Sequence, residues 1–121
     1  MLTLPPSVRV FLCATPLDLR KSFDGLSAAA RELLAQDPLS GHLFVFLNRR
    51  ANRVKILLWD RNGYWLMCKR LEQGRFHAPV KEGRAEIEAA ELSLMLEGID
   101  LAGAKRRPRW VPRDSSVPTL T

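Results

Sequence analysis

SGHLFVFLNRRANRVKILLWDRNGYWLMCKRLEQGRF, from Ser40 to Phe76, decides the fold. It holds three strand-like runs. His42 to Asn48 sets Leu43, Val45 and Leu47 on one face and Phe44 and Phe46 on the other, because strand side chains alternate. Arg53 to Trp59 sets Val54, Ile56 and Leu58 against Lys55, Leu57 and Trp59. Tyr64 to Leu71 sets Tyr64, Leu66, Cys68 and Arg70 against Trp65, Met67, Lys69 and Leu71. Asp60-Arg61-Asn62-Gly63 joins the last two runs and carries the Asn-Gly pair of a tight hairpin turn. Arg49 to Asn52 is a short basic link. The stretch reads as an antiparallel meander.

Working outward, Val8 to Cys13 (VRVFLC) is a further short strand, with apolar residues on both faces, as in a covered strand. Pro16 breaks it. Phe23, Leu26, Ala30, Leu33 and Leu34 then recur at helical spacing, which predicts an amphipathic helix from about Ser22 to Ala35, ended by Asp37-Pro38. A second helix is expected from Arg84 to Glu97, with Gly98 at its end. The predicted fold is α+β: a single two-layer domain, an antiparallel four-stranded sheet with two helices packed on one face. It occupies residues 1–103. Residues 104–121 read as a basic, proline-rich, flexible C-terminal arm, because Pro108, Pro112 and Pro118 interrupt regular structure.

A chain of 121 residues, 46% hydrophobic and 26% charged, suits one globular domain with its own core. No apolar run approaches the roughly 18–20 residues needed to span a bilayer. The N-terminus lacks the pattern of a signal peptide, so a cytoplasmic protein without a membrane role is expected. Cys13 and Cys68 are read as buried thiols rather than a disulfide. With His42 and His77 they form no metal-ligand spacing, so neither metal nor cofactor is expected.

The charge is localised. Between Arg49 and Arg75 stand eight basic residues and two acidic ones, an excess equal to the +6 of the whole chain. Such a concentration points to a polyanion, most simply nucleic acid. The candidate DNA contacts are Arg49, Arg50, Arg53, Lys55, Arg61, Lys69, Arg70 and Arg75 on the sheet segment, and Lys105, Arg106, Arg107 and Arg109 in the arm, where Trp110 offers an aromatic surface. Trp59 and Trp65 are candidates for stacking on bases. The other reading of these residues is a solvated sheet face with core tryptophans. Asp18 and Asp24 stand near Arg20 and Lys21, but their spacing matches no metal-nuclease motif; helix capping and local ion pairs explain them more simply.

These segments resemble a known family. DLRKSFDGL and the central stretch are similar to TnpB, the accessory protein encoded by the second open reading frame of insertion-sequence-66-type transposable elements. The resemblance runs from about Val8 to Ile99. It rests on Asp18, Arg20 and Lys21; on Asp24, Gly25 and Leu26; on Arg49, Arg50 and Arg53; on Lys55, Ile56, Leu58, Trp59 and Asp60; and on Lys69 to Glu72 followed by Gly74, Arg75 and Phe76. Leu19 stands where methionine is usual, and a leucine more precedes Trp59 than some alignments give. The resemblance implies a non-catalytic helper of transposition, beside a separate transposase that carries the strand-transfer chemistry. It implies nothing of the unrelated RNA-guided nucleases that share the name. Expected partners are DNA at the element ends, bound with weak sequence specificity, and the transposase. The alternative is a protein–protein adaptor that recruits or regulates the transposase, and a small nuclease using Asp18 and Asp24 ranks well behind both. The oligomeric state stays open at this level.

Overall fold

The computed structural model describes residues 4–79, 85–100 and 105–106. The elements run β1 (Val10–Leu12), α1 (Phe23–Leu33), β2 (Leu43–Leu47), β3 (Arg53–Asp60), β4 (Gly63–Arg70), β5 (Glu86–Ile87), α2 (Ala89–Leu96), β6 (Ile99–Asp100) and β7 (Lys105–Arg106). The α+β class and the β2–β3–β4 meander match the sequence reading. The sheet does not match it in full. It has five strands in the order β4-β3-β2-β1-β5, and it is mixed, because β1 runs parallel to β2 while the other neighbours are antiparallel.

The helices also depart from the expectation of a single covered face. α1 places Leu26, Ala29 and Ala30 against Phe11, Cys13, Phe44, Phe46 and Leu57. α2 places Leu92 and Met95 against Val10, Leu12, Leu43, Val45, Leu47, Val54 and Ile56 on the opposite face. The physical reason is visible in β1 and β2. Every residue of both strands is buried, so each face carries apolar side chains that water must not reach. Phe44 and Phe46 are fully buried on one side and Val45 on the other. Burial of a large apolar side chain contributes roughly 1.5–3 kcal/mol, so one helix layer would leave half of this gain unrealised. A parallel β1–β2 pair also requires a crossover, and α1 is that crossover.

The segment expected as one long second helix divides in two. Glu86–Ile87 pairs with β1 as an edge strand, and helix begins only at Ala89. Glu88 marks the start, its backbone N–H donating to Glu91 Oε1 at 2.9 Å. Gly98 follows the helix with φ 79, the left-handed conformation that ends helices. α1 stops before Asp37-Pro38, because Ala35 already turns left-handed at φ 53. The β3–β4 hairpin is offset by one residue from its sequence reading. Asp60 pairs with Gly63, so Arg61 and Asn62 form the turn, Arg61 at φ 54. Lys105–Arg106 pairs with Ile99–Asp100 as a two-stranded ribbon. The rest of the predicted arm, with Arg107, Arg109 and Trp110, lies outside the described residues.

Candidate nucleic-acid interface

The backbone of the β2–β3 turn determines where the arginines go. Asn48 leaves β2 and organises the turn from its side chain. Its Oδ1 accepts from the backbone N–H groups of Asn52 and Arg53, both at 3.0 Å, and its Nδ2 donates to Asn52 Oδ1 at 2.7 Å. Ala51 N–H donates to Asn48 O at 3.0 Å, and Ala51 sits at φ 54. The loop is thus closed upon itself, and Arg49, Arg50 and Arg53 are exposed on it and at the start of β3. The sequence reading places only the arginines at the site and leaves out Asn48 and Asn52. Two asparagines bracketing an arginine pair were the available signal, since asparagine commonly bonds backbone two or more residues away.

A second loop meets this turn. Between β1 and α1, Leu17 N–H donates to Leu47 O at 3.0 Å, which ties the loop to the last residue of β2. Pro16 to Arg20 and Asn48 to Arg50 with Arg53 then line one groove of about 580 Å³. It lies where the parallel strands β1 and β2 both end, the usual location of binding crevices in open sheets with parallel strands. Asp18 and Arg20 lie within it. Asp18 accepts from Arg20 Nε at 3.0 and 2.9 Å, from Arg20 Nη2 at 2.6 Å and from the Arg20 backbone N–H at 3.0 Å. The bonds from the Arg20 side chain, ahead of that from its backbone, hold the Asp18 carboxyl well below the usual carboxylate range, at about 2. The hydrogen bonds to Asp18, and then its charge, in turn raise Arg20.

The structure separates the other predicted contacts. Cross-strand pairing puts Arg53 opposite Arg70 and Lys55 opposite Cys68, all on the α1 side, while Lys69 opposite Val54 lies on the α2 side. The basic residues do not share one sheet face, because alternation along β3 and β4 divides them. Both lysines serve the fold. Lys55 Nζ donates to Lys21 O at 2.9 Å. Lys69 Nζ donates to Leu96 O at 2.7 Å, supplying a cation to the last turn of α2, which has none of its own. Arg70 is engaged by Glu72 through two bonds, at 3.0 and 2.7 Å. Arg61 sits on the β3–β4 turn, at the far end of β3 from Arg53. Arg75 precedes Phe76, whose N–H donates to Ala51 O at 2.6 Å, so it lies beside the arginine turn. Among the described residues, Arg49, Arg50, Arg53, Arg61 and Arg75 take no side-chain hydrogen bond or ion pair. Lys105 and Arg106 are in β7, away from the five-stranded sheet's own ladders.

Trp59 and Trp65 fall on opposite faces. Trp59 is half-buried and meets Tyr64 edge-on at 5.0 Å, while Trp65 is exposed and its Nε1–H donates to Asp60 Oδ2 at 3.3 Å. Cys13 is buried, and burial pushes its thiol up; Cys68 is exposed, contrary to the expectation of two buried thiols. No group of three His, Cys, Asp or Glu able to hold a metal ion is found among the described residues. No helix among them is long and apolar enough to cross a membrane.

The site is therefore a groove lined by arginines at one end of the mixed sheet of an α+β protein. The chain belongs to the family described as IS66 Orf2 like protein, whose model matches residues 8–106. It is 36% identical over 102 residues to "Uncharacterized protein y4jC" of Sinorhizobium fredii (strain NBRC 101917 / NGR234), covering 84% of this chain and 87% of that protein. It is 41% identical over 101 residues to "Uncharacterized protein y4hO" of the same strain, covering 83% of this chain and 88% of that protein. No solved structure matches. Family membership ties the chain to insertion sequences and points to an accessory role in transposition.

Proposed function

We propose that this chain is a non-catalytic accessory subunit of transposition, working in the cytoplasm, that binds DNA through the arginine turn. One observation carries the reading: Arg49, Arg50 and Arg53, exposed and unpaired among the described residues, stand at a turn pinned by Asn48, beside a second loop whose own arginine is already neutralised by Asp18. Three guanidinium groups on a fixed backbone suit phosphate oxygens, which accept paired N–H donors. Such contacts position a protein on DNA and carry little sequence information. The binding site is thus the end of the sheet, with Arg75 beside it, rather than a broad basic face. Asp18 supports no nuclease reading, since its oxygens are occupied by Arg20.

Fluorescence anisotropy of labelled element-end DNA, titrated at low and at physiological salt, tests this. Each phosphate contact adds about 0.9 to the slope of log affinity against log salt. Replacing Arg49, Arg50 and Arg53 by alanine should therefore weaken binding and lower that slope by up to about 3. Binding that ignores salt, or that the triple variant retains in full, rejects the reading. An absence of binding at either salt would turn the same groove toward an acidic surface of the transposase.

A further inference from the structure

We propose that β4 is a self-association edge, along which two copies of this chain pair antiparallel to join two five-stranded sheets into one of ten. β4 is the end strand of the sheet, so one row of its backbone N–H and C=O groups has no strand partner among the described residues. Eight residues long, it pairs with β3 from Arg53↔Arg70 to Asp60↔Gly63 without a bulge, and it contains no proline. Edge strands are normally blunted by those devices or by a charge near the strand centre. Here the centre is apolar and open: Trp65 is 62% exposed and Met67 36%, against 0% for Leu57 on the neighbouring strand.

The order of residues along β4 makes the strand self-complementary when a second copy lies antiparallel. Both basic residues of β4, Lys69 and Arg70, stand at its C-terminal end, and its aromatic residues, Tyr64 and Trp65, at its N-terminal end. A parallel neighbour of the same sequence would set Lys69 on Lys69 and Arg70 on Arg70, which repel. An antiparallel neighbour sets unlike ends together. Residues directly opposite must share a face, and pairing centred on Met67 meets that condition. It puts Trp65 opposite Lys69, Tyr64 opposite Arg70 and Leu66 opposite Cys68 of the other copy. The ammonium of Lys69 is held at Leu96 O, so its methylene stem lies toward the indole. Arg70, engaged by Glu72, stands opposite Tyr64 instead of a second arginine, so like charges do not meet. The arginine turns of the two copies then lie at opposite ends of the ten-stranded sheet.

Sedimentation equilibrium of the purified chain reads the result directly. The expected mass is twice 13.7 kDa, falling to the monomer in Trp65→Lys/Met67→Lys with circular dichroism unchanged. A wild-type monomer at every concentration overturns the proposal, and so does a dimer that persists in the folded double variant. If the double variant fails to fold, Leu66→Cys decides. Opposed Cα atoms in an antiparallel pair are about 4.5–5.5 Å apart, within disulfide reach. Mild oxidation should therefore crosslink Leu66→Cys through Cys68, and Leu66→Cys/Cys68→Ser should stay uncrosslinked. A Leu66→Cys chain that never crosslinks overturns the pairing. None of these readouts involves DNA, so the outcome is independent of the arginine groove.

Discussion

Arg20 and Arg49 are both exposed arginines in one groove, yet they differ in what they can do. Arg20 spends its guanidinium on Asp18, two residues away. Among the described residues, Arg49 takes no such partner. The Asp18 carboxyl, held at about 2 by Arg20, has a folded-state pKa below its ordinary 3.8. Its contribution to stability is therefore present in full above pH 3.8 and is lost as pH falls through about 2. Both groups are exposed to solvent, so the pair's part in stability is screened. Carbon-detected NMR titration should place the Asp18 midpoint near 2 and return it toward 3.8 in Arg20→Gln. A wild-type midpoint at the ordinary value would mean that the pair does not form. Asn48 is a sharper structural residue. Asn48→Ala removes bonds to the Asn52 and Arg53 N–H groups and should cost about 1–3 kcal/mol in urea unfolding. It should weaken DNA binding as well, although asparagine carries no charge, because the arginines lose their fixed backbone. The arginine motif was legible in the sequence; its support was not, since Asn48 matters only through a turn geometry that several backbone paths could have supplied.

At the scale of elements, each helix covers its own face, so each should report separately. Leu26 on α1 and Met95 on α2 are both fully buried. Leu26→Ala and Met95→Ala should each cost about 2–5 kcal/mol, the lost transfer energy plus that of the cavity. The two sites lie in separate clusters across the sheet, so the double variant should lose close to the sum. Strong non-additivity in chemical denaturation would contradict helices on opposite faces. Two covered faces are legible in LFVFL, where leucine and valine alternate with phenylalanine and neither set is polar. A strand apolar on both sides needs two layers. Short elements were less legible. Glu86–Ile87 is a strand of two residues whose existence depends on β1 offering it an edge, and no local pattern encodes that. Helix periodicity from Arg84 onward therefore absorbed it.

For the whole molecule, fold and proposed binding occupy different residues, and this separation is itself testable. Arg49, Arg50 and Arg53 are exposed and unpaired among the described residues, so the triple alanine variant should unfold within about 0.5 kcal/mol of wild type per site. The same variant should lose most of its salt-dependent affinity for DNA. A large loss of stability would mean that the arginines hold the turn, and their effect on binding would then be indirect. Lys55 and Lys69 should behave in the opposite way, since their ammonium groups bond the backbone next to α1 and α2. The sequence by itself determined the meander, the two helical segments, the basic excess and the family, because each follows from local alternation, periodicity or a run of matching residues. Tertiary structure alone decided that β1 lies parallel beside β2, and two consequences follow. The crossover sends α1 and α2 to opposite faces, and the loop after β1 arrives beside the turn after β2. Asp18 and Arg53 are far apart in the chain and share a groove only because those two strands end side by side, a pairing of distant segments that local sequence does not carry.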